Sequence, residues 1–170
     1  MGNNYYHYYV EGDDDRKIVN TLKTDFQIIQ PGKVDKFNVV QNLFNKNRIQ
    51  VLKKDTTVVL VFDTDTNSAD ILMQNIEFLR KQKCIKDVIC IPQVENLEDE
   101  LIRSCAIRQV KELTGSKTDS EFKTDILNIT NLKQKLEQKN FDFDKFWSTL
   151  PKGIFRQISN DAIEIKKTKE

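Results

Sequence analysis

Two uninterrupted runs, Tyr5-Tyr6-His7-Tyr8-Tyr9-Val10 and Thr56-Thr57-Val58-Val59-Leu60-Val61-Phe62, constrain this chain more than any other feature. Both are dense in aromatic and β-branched residues, and neither alternates polar with apolar. That is the pattern of strands covered on both faces, as in a parallel sheet. Each run ends in acids: Glu11-Gly12-Asp13-Asp14-Asp15 follows the first and Asp63-Thr64-Asp65 closes the second. Carboxylates at the carboxyl ends of parallel strands lie on the edge where open α/β sheets bind ligands.

The rest of the chain alternates in the same way. Asp13 or Asp14 can cap a helix carrying Ile18, Val19 and Leu22 on one face. Phe26 to Ile29 reads as a second strand stopped by Pro31-Gly32, and Phe37, Val40, Leu43 and Phe44 predict a helix from Asp35 to about Leu52. After the strand ending at Phe62, Thr66 or Ser68 is the expected cap of a helix burying Ala69, Leu72, Met73, Ile76 and Leu79. Asp87 to Ile91 is the fourth strand, closed by Pro92; Asn96 then caps a helix that Gly115 stops, with Leu97, Leu101, Ile102, Cys105 and Leu113 as its apolar positions. This order predicts an α/β fold with a doubly wound, mainly parallel sheet of four strands or slightly more. Beyond Gly115 a helical extension is expected: a helix over Phe122 to Leu136, a short aromatic helix over Phe141 to Leu150, and an edge strand within Ile154 to Ile165. Residues 1–115 form the predicted core and 116–170 an extension packed on it, with a disordered tail after Lys166.

Composition bounds the partners. With 38% hydrophobic and 31% charged residues the chain falls among soluble globular proteins, and no run of about 18 apolar residues offers a membrane span. No signal peptide is expected, and Met1-Gly2 lacks the Ser or Thr of a myristoylation site, since Tyr6 stands there. Cys84, Cys90 and Cys105 lack C-x-x-C spacing and are expected as core thiols in a reducing cytoplasm. A net charge of +1 excludes the broad basic surface of a protein that coats nucleic acid. The basic clusters at Lys46 to Lys54, Arg80 to Lys83 and Ile165 to Lys169 are expected as solvated faces.

The pair of acidic signatures resembles the topoisomerase-primase (TOPRIM) domain: a hydrophobic strand with Glu-Gly-x-x-Asp, here Glu11, Gly12 and Asp15, then a hydrophobic strand ending in Asp-x-Asp, here Asp63 and Asp65. The resemblance covers Tyr5 to Leu113. It implies a small stand-alone nuclease similar to the overcoming-lysogenization-defect nucleases of phage defence, with DNA or RNA as substrate and an ATPase or other regulatory protein as partner. It implies further that Glu11 is a general acid or base and that Asp63 and Asp65 hold a divalent metal, with Glu11 and Asp15 as further ligands. Asp15 takes the second acidic position of the first loop. Glu98, beside Glu95 and Glu100, would serve a second metal, and Lys117 or Lys123 would stand near the scissile phosphate. Hard oxygen donors without histidine or cysteine select Mg2+ (or Mn2+) over zinc, which is the ion phosphodiester chemistry needs.

Plainer roles exist for the same residues. Asp13, Asp14, Asp65, Glu98 and Glu100 suit helix starts, Lys117 and Lys123 suit solvent, and His7 suits packing within its strand. No G-x-x-x-x-G-K-[ST] and no G-x-G-x-x-G is present, which removes P-loop ATP hydrolysis and the usual dinucleotide site. The rival to a metal-dependent endonuclease is a metal-binding, non-catalytic or receiver-like signalling module. Receivers carry paired acids after the first strand and a lysine after the last, whereas this chain has Glu-Gly-x-x-Asp and a second Asp-x-Asp.

Overall fold

A computed structural model describes residues 4–168. Four strands, β1 (Tyr5–Val10), β2 (Gly32–Lys36), β3 (Thr56–Asp63) and β4 (Ile85–Gln93), form one all-parallel sheet in the order β2-β1-β3-β4. β3 lies between two neighbours and is buried from Thr56 to Phe62, which explains its uninterrupted apolar run.

Side chains of successive residues point to opposite faces, so the sheet divides two cores. Tyr8, Val10, Val59, Val61, Ile89 and Ile91 join α1 (Asp13–Asn20) on one face, together with residues from Phe122 to Ile165. Tyr9, Val58, Leu60, Phe62, Val88 and Cys90 face α3 (Asp70–Arg80) on the other, with Leu72, Ile76 and Leu79. The fold is thus α/β with both faces of a parallel sheet covered. Around it stand α2 (Lys46–Ile49), α4 (Leu97–Ser104), α5 (Lys111–Thr114), α6 (Phe122–Asn128) and α7 (Leu132–Gln138). Among the described residues no helix is long and apolar enough to cross a membrane.

Several expected elements are replaced. The strand expected at Phe26 to Ile29 is not formed; α1 runs into a π-helical turn (Thr21–Asp25), and Ile29 alone makes an antiparallel bridge, to Lys166. The second strand begins instead at Gly32, paired with Tyr6, where a Cβ would sit 2.3 Å from the Tyr6 carbonyl oxygen. Only glycine allows β2 to approach β1 there.

The helix expected from Asp35 to Leu52 shrinks to α2. Its first residues belong to β2, and the Asn38 side chain accepts the N–H groups of Val40 and Gln41, a local turn that competes with helix. Phe44 and Val40 are still buried, but Leu43 is exposed. The irregular backbone is satisfied from α3: the buried Asn75 accepts the Phe44 N–H at 2.8 Å and donates to the Val39 and Asn42 carbonyls at 2.8 and 2.7 Å. Asn75 therefore occupies the interior position on α3, and Met73, expected inside, is exposed.

β4 extends through Pro92 to Gln93, which an edge strand tolerates because the missing N–H need not pair. The Asn96 cap is present, accepting the Asp99 N–H at 3.0 Å, but the helix ends at Ser104 and restarts as α5 before Gly115. The helix expected over Phe122 to Leu136 is divided into α6 and α7. Phe141 to Leu150 forms turns rather than a helix, and Ile154 to Ile165 contains two 3-10 turns (Gly153–Phe155 and Ala162–Glu164) instead of a strand. The open edge of β4 is covered by Asp161, which accepts the Cys90 N–H at 2.9 Å and donates its own N–H to the Cys90 carbonyl at 2.8 Å. Of the tail expected to be disordered, Lys167 is tied by its N–H to the Ile28 carbonyl, and residues 169–170 lie outside the described residues.

Candidate functional site

The order β2-β1-β3-β4 reverses direction between β1 and β3, because β1 connects to one edge and β3 to the other. At such a switch point the loops diverge and leave a crevice at the carboxyl ends of the two strands. Glu11 and Asp63 stand there, joined by a hydrogen bond from the Asp63 N–H to Glu11 Oε1 at 3.2 Å.

Asp15 reaches the same place from the first turn of α1. Gly12 is the N-cap; its N–H donates to Asp15 Oδ2 at 3.0 Å, and a Cβ on Gly12 would lie 2.7 Å from Asp14 Oδ1. The absence of a side chain lets the loop close on its own carboxylates. Gln93, at the end of β4 and in register with Asp63, completes the cluster. Its Nε2 donates to Asp15 Oδ1 at 2.8 Å and to Asp63 Oδ1 at 2.9 Å, while its Oε1 accepts the Trp147 indole N–H at 3.1 Å.

These carboxyls hold their protons more tightly than usual. Burial pushes Asp15 up to about 7, assisted by the Asp14 charge and opposed by the Gln93 and Gly12 donors. Burial also raises Asp63, followed by the charges of Asp15 and Glu11. Glu11 is raised by burial and then by Asp15 and Asp65, against the hydrogen bonds it makes with Asp63. Crowded like charges in a desolvated crevice cannot all ionise cheaply.

The other sequence-derived residues are placed as follows. Asp65 is exposed, yet its charge raises both Glu11 and Asp63. Glu98, at the start of α4, is close enough for its charge to raise Asp15, and it pairs with Lys123 Nζ at 3.4 Å. Burial alone would lower the Lys123 ammonium, but Glu98, Asp14 and Asp63 hold it above its ordinary value. Lys117 is not brought in: it is exposed, and its backbone N–H bonds Glu121 Oε2. Glu100 turns away into the interior, where it accepts the Val94 and Trp147 N–H groups and pairs with Arg103. Asp13 pairs outward with Arg16 and Lys36, and His7 is buried against Asp35 at 2.8 Å.

Gln93 and Trp147 are the members that sequence reasoning passes over. A glutamine ending an otherwise apolar strand, and the chain's one tryptophan, are the only signals of them in the sequence. A groove of about 1180 Å³ includes Trp147 but none of Glu11, Asp15, Asp63 and Asp65.

Among the described residues no three acidic, histidine or cysteine side chains form a ready-made metal-ligating group. Asp15 in particular has both oxygens engaged, one by Gln93 and one by Gly12. The donor chemistry nonetheless fits a hard divalent cation. Glu11, Asp63 and Asp15 are all oxygen donors, and the mutual repulsion that raises their proton affinity is what a cation would relieve. No family model, no curated protein and no solved structure matches this chain.

Proposed function

We propose that this protein is a metal-dependent endonuclease of TOPRIM type that cleaves nucleic-acid phosphodiester bonds. The observation that carries the reading is the convergence of Glu11, Asp15 and Asp63 in the crevice between β1 and β3, in surroundings that raise all three carboxyls. The TOPRIM resemblance adds its expectation for the same residues.

In this reading Asp63 and Asp65, with Glu11 and Asp15, would hold Mg2+ or Mn2+, and Glu98 would hold a second ion. Such an ion neutralises phosphate charge and steadies the attacking and leaving oxygens. Glu11 moves a proton at water or at the leaving oxygen; burial brings its carboxyl toward the neutral range in which acid–base catalysis is efficient. Lys123, held beside Glu98 and within the field of Asp63, supplies positive charge for the phosphate. Lys117 has no comparable support. The near-neutral chain leaves nucleic-acid grip to a partner, for which an ATPase is the expectation, and the setting we propose is a phage-defence or toxin-like system in the cytoplasm.

The test is cleavage of plasmid DNA, single-stranded DNA and transfer RNA with Mg2+ or Mn2+, comparing wild type with Glu11→Gln and Asp63→Asn. Metal-dependent cutting that both variants abolish supports the proposal, and undiminished cutting by Glu11→Gln refutes the role of Glu11. The bridging of Asp15 and Asp63 by Gln93 favours one other reading, a non-catalytic metal-binding or receiver-like module whose acids are already satisfied internally. Cation binding without cleavage of any substrate in the panel, at low ionic strength where nucleic acid is held without a partner's grip, would select it.

A further inference from the structure

We infer that Gln93 is a positioning residue that sets the spacing of Asp15 and Asp63, and that Trp147 fixes which way its amide faces. The role stands on hydrogen-bond geometry; only its consequence for cleavage rests on the function proposed above.

An indole N–H can donate but cannot accept. The contact between Trp147 Nε1 and Gln93 at 3.1 Å therefore requires the amide oxygen of Gln93 on the Trp147 side. The NH2 group is then turned to the carboxylates, with one N–H for Asp15 at 2.8 Å and one for Asp63 at 2.9 Å. Gln93 is 1% exposed, so bulk water does not compete for its side chain. A reversed amide would leave the indole donor facing an NH2 group whatever the protonation of the acids, and would set its oxygen against each carboxylate that is ionised.

Trp147 is itself held from a second direction. Its backbone has φ 57, a left-handed conformation that a bulky residue adopts only under constraint, and its N–H donates to Glu100 Oε2 at 3.0 Å. Glu100 is fully buried on α4, where Arg103 pairs with its other oxygen at 2.9 Å. A continuous path thus runs from α4 through Trp147 and Gln93 to acids on α1 and β3. The segment after α7 becomes part of the site's supporting shell, although none of its residues is a carboxylate of the cluster.

The experiment uses the full chain, free of metal, and the single indole N–H signal that its one tryptophan produces in 1H–15N spectra. Asp63→Ala is expected to shift that signal when Gln93 is present and to leave it unmoved in a Gln93→Met background. Trp147→Phe, which keeps a ring but removes the donor, is expected to speed hydrogen exchange of the Gln93 side-chain amide about tenfold or more. An indole signal indifferent to Asp63→Ala, or equally shifted without Gln93, overturns the inference, as does unchanged exchange in Trp147→Phe. In cleavage assays Gln93→Met should lower kcat by about 10- to 100-fold with little change in KM, the usual cost of losing a residue that orients a site. If wild type cleaves nothing even at low ionic strength, where no partner's grip is needed, the proposed function fails while the spectra still decide the role of Gln93.

Discussion

Asp63 and Gln93 are register partners across β3 and β4, and the amide of one donates to the carboxylate of the other at 2.9 Å. The same amide reaches Asp15 on α1, so one side chain joins three separate elements of the fold. A cluster built this way costs stability, because it holds like charges together in a buried crevice.

The first consequence concerns Asp63. Burial and the neighbouring Asp15 and Glu11 charges oppose its ionisation. Asp63→Asn should therefore raise the melting temperature of the metal-free protein by about 2–6 °C. The same variant should lose about 100-fold or more of metal-dependent cleavage. Thermal unfolding in EDTA, paired with single-turnover cleavage, checks both; a lower melting temperature would show that the like-charge argument is wrong.

Stability should depend on pH with a definite sign. Asp15, Asp63 and Glu11 all have folded-state values above their ordinary ones, so the folded protein binds these protons more tightly than the unfolded chain. Their stabilising contribution is complete below the ordinary carboxylate range and is lost as pH rises through the folded values, which for Asp15 is about 7. In EDTA the melting temperature should fall by about 5 °C or more between about pH 5.5 and pH 8. Millimolar Mg2+ should recover much of that loss at the higher pH, since a ligand of the folded state stabilises it by mass action. A profile rising over this interval would contradict the assignment.

Asn75 offers a test of the fold alone. It is 1% exposed and provides three hydrogen bonds to the irregular backbone around Val39, Asn42 and Phe44. Asn75→Leu should cost about 2–4 kcal/mol in urea unfolding, because it strands buried backbone groups that have no helical partners. A change below about 0.5 kcal/mol would mean that this segment finds other partners.

Gly32 makes the corresponding test for the sheet. With a Cβ only 2.3 Å from the Tyr6 carbonyl oxygen, Gly32→Ala must push β2 away from β1. We expect a loss of about 2 kcal/mol or more, and faster amide exchange across the β1–β2 pair than across β1–β3. Equal exchange in both pairs would argue against the close approach.

Elements dominated by burial are legible in the residues themselves. β1, β3 and the middle of β4 carry runs that only a two-sided parallel sheet can cover, and Asn96 and Gly115 act locally as cap and stop. Elements set by distant partners are not. Phe37, Val40 and Phe44 have helical spacing, yet Asn75 satisfies the backbone of their segment from another element, so spacing alone misassigns them. Phe26 to Ile29 is apolar because it packs on the C-terminal segment, as the Phe26–Phe141 rings show at 5.8 Å, and not because it is a strand.

By itself the sequence determined the layered α/β plan and the acids at two strand ends, because hydrophobic runs and local capping act over short stretches of chain. Only the tertiary structure decided which acids meet. The strand order brings β1 beside β3 and thereby joins Glu11 to Asp63, while Lys117 is left outside and Lys123 is drawn in beside Glu98. Gln93 and Trp147 acquire their roles in the same way, since they lie 54 positions apart and no periodicity connects them. Their hydrogen bond exists because folding places an acceptor and a donor in one buried place, where each needs a partner.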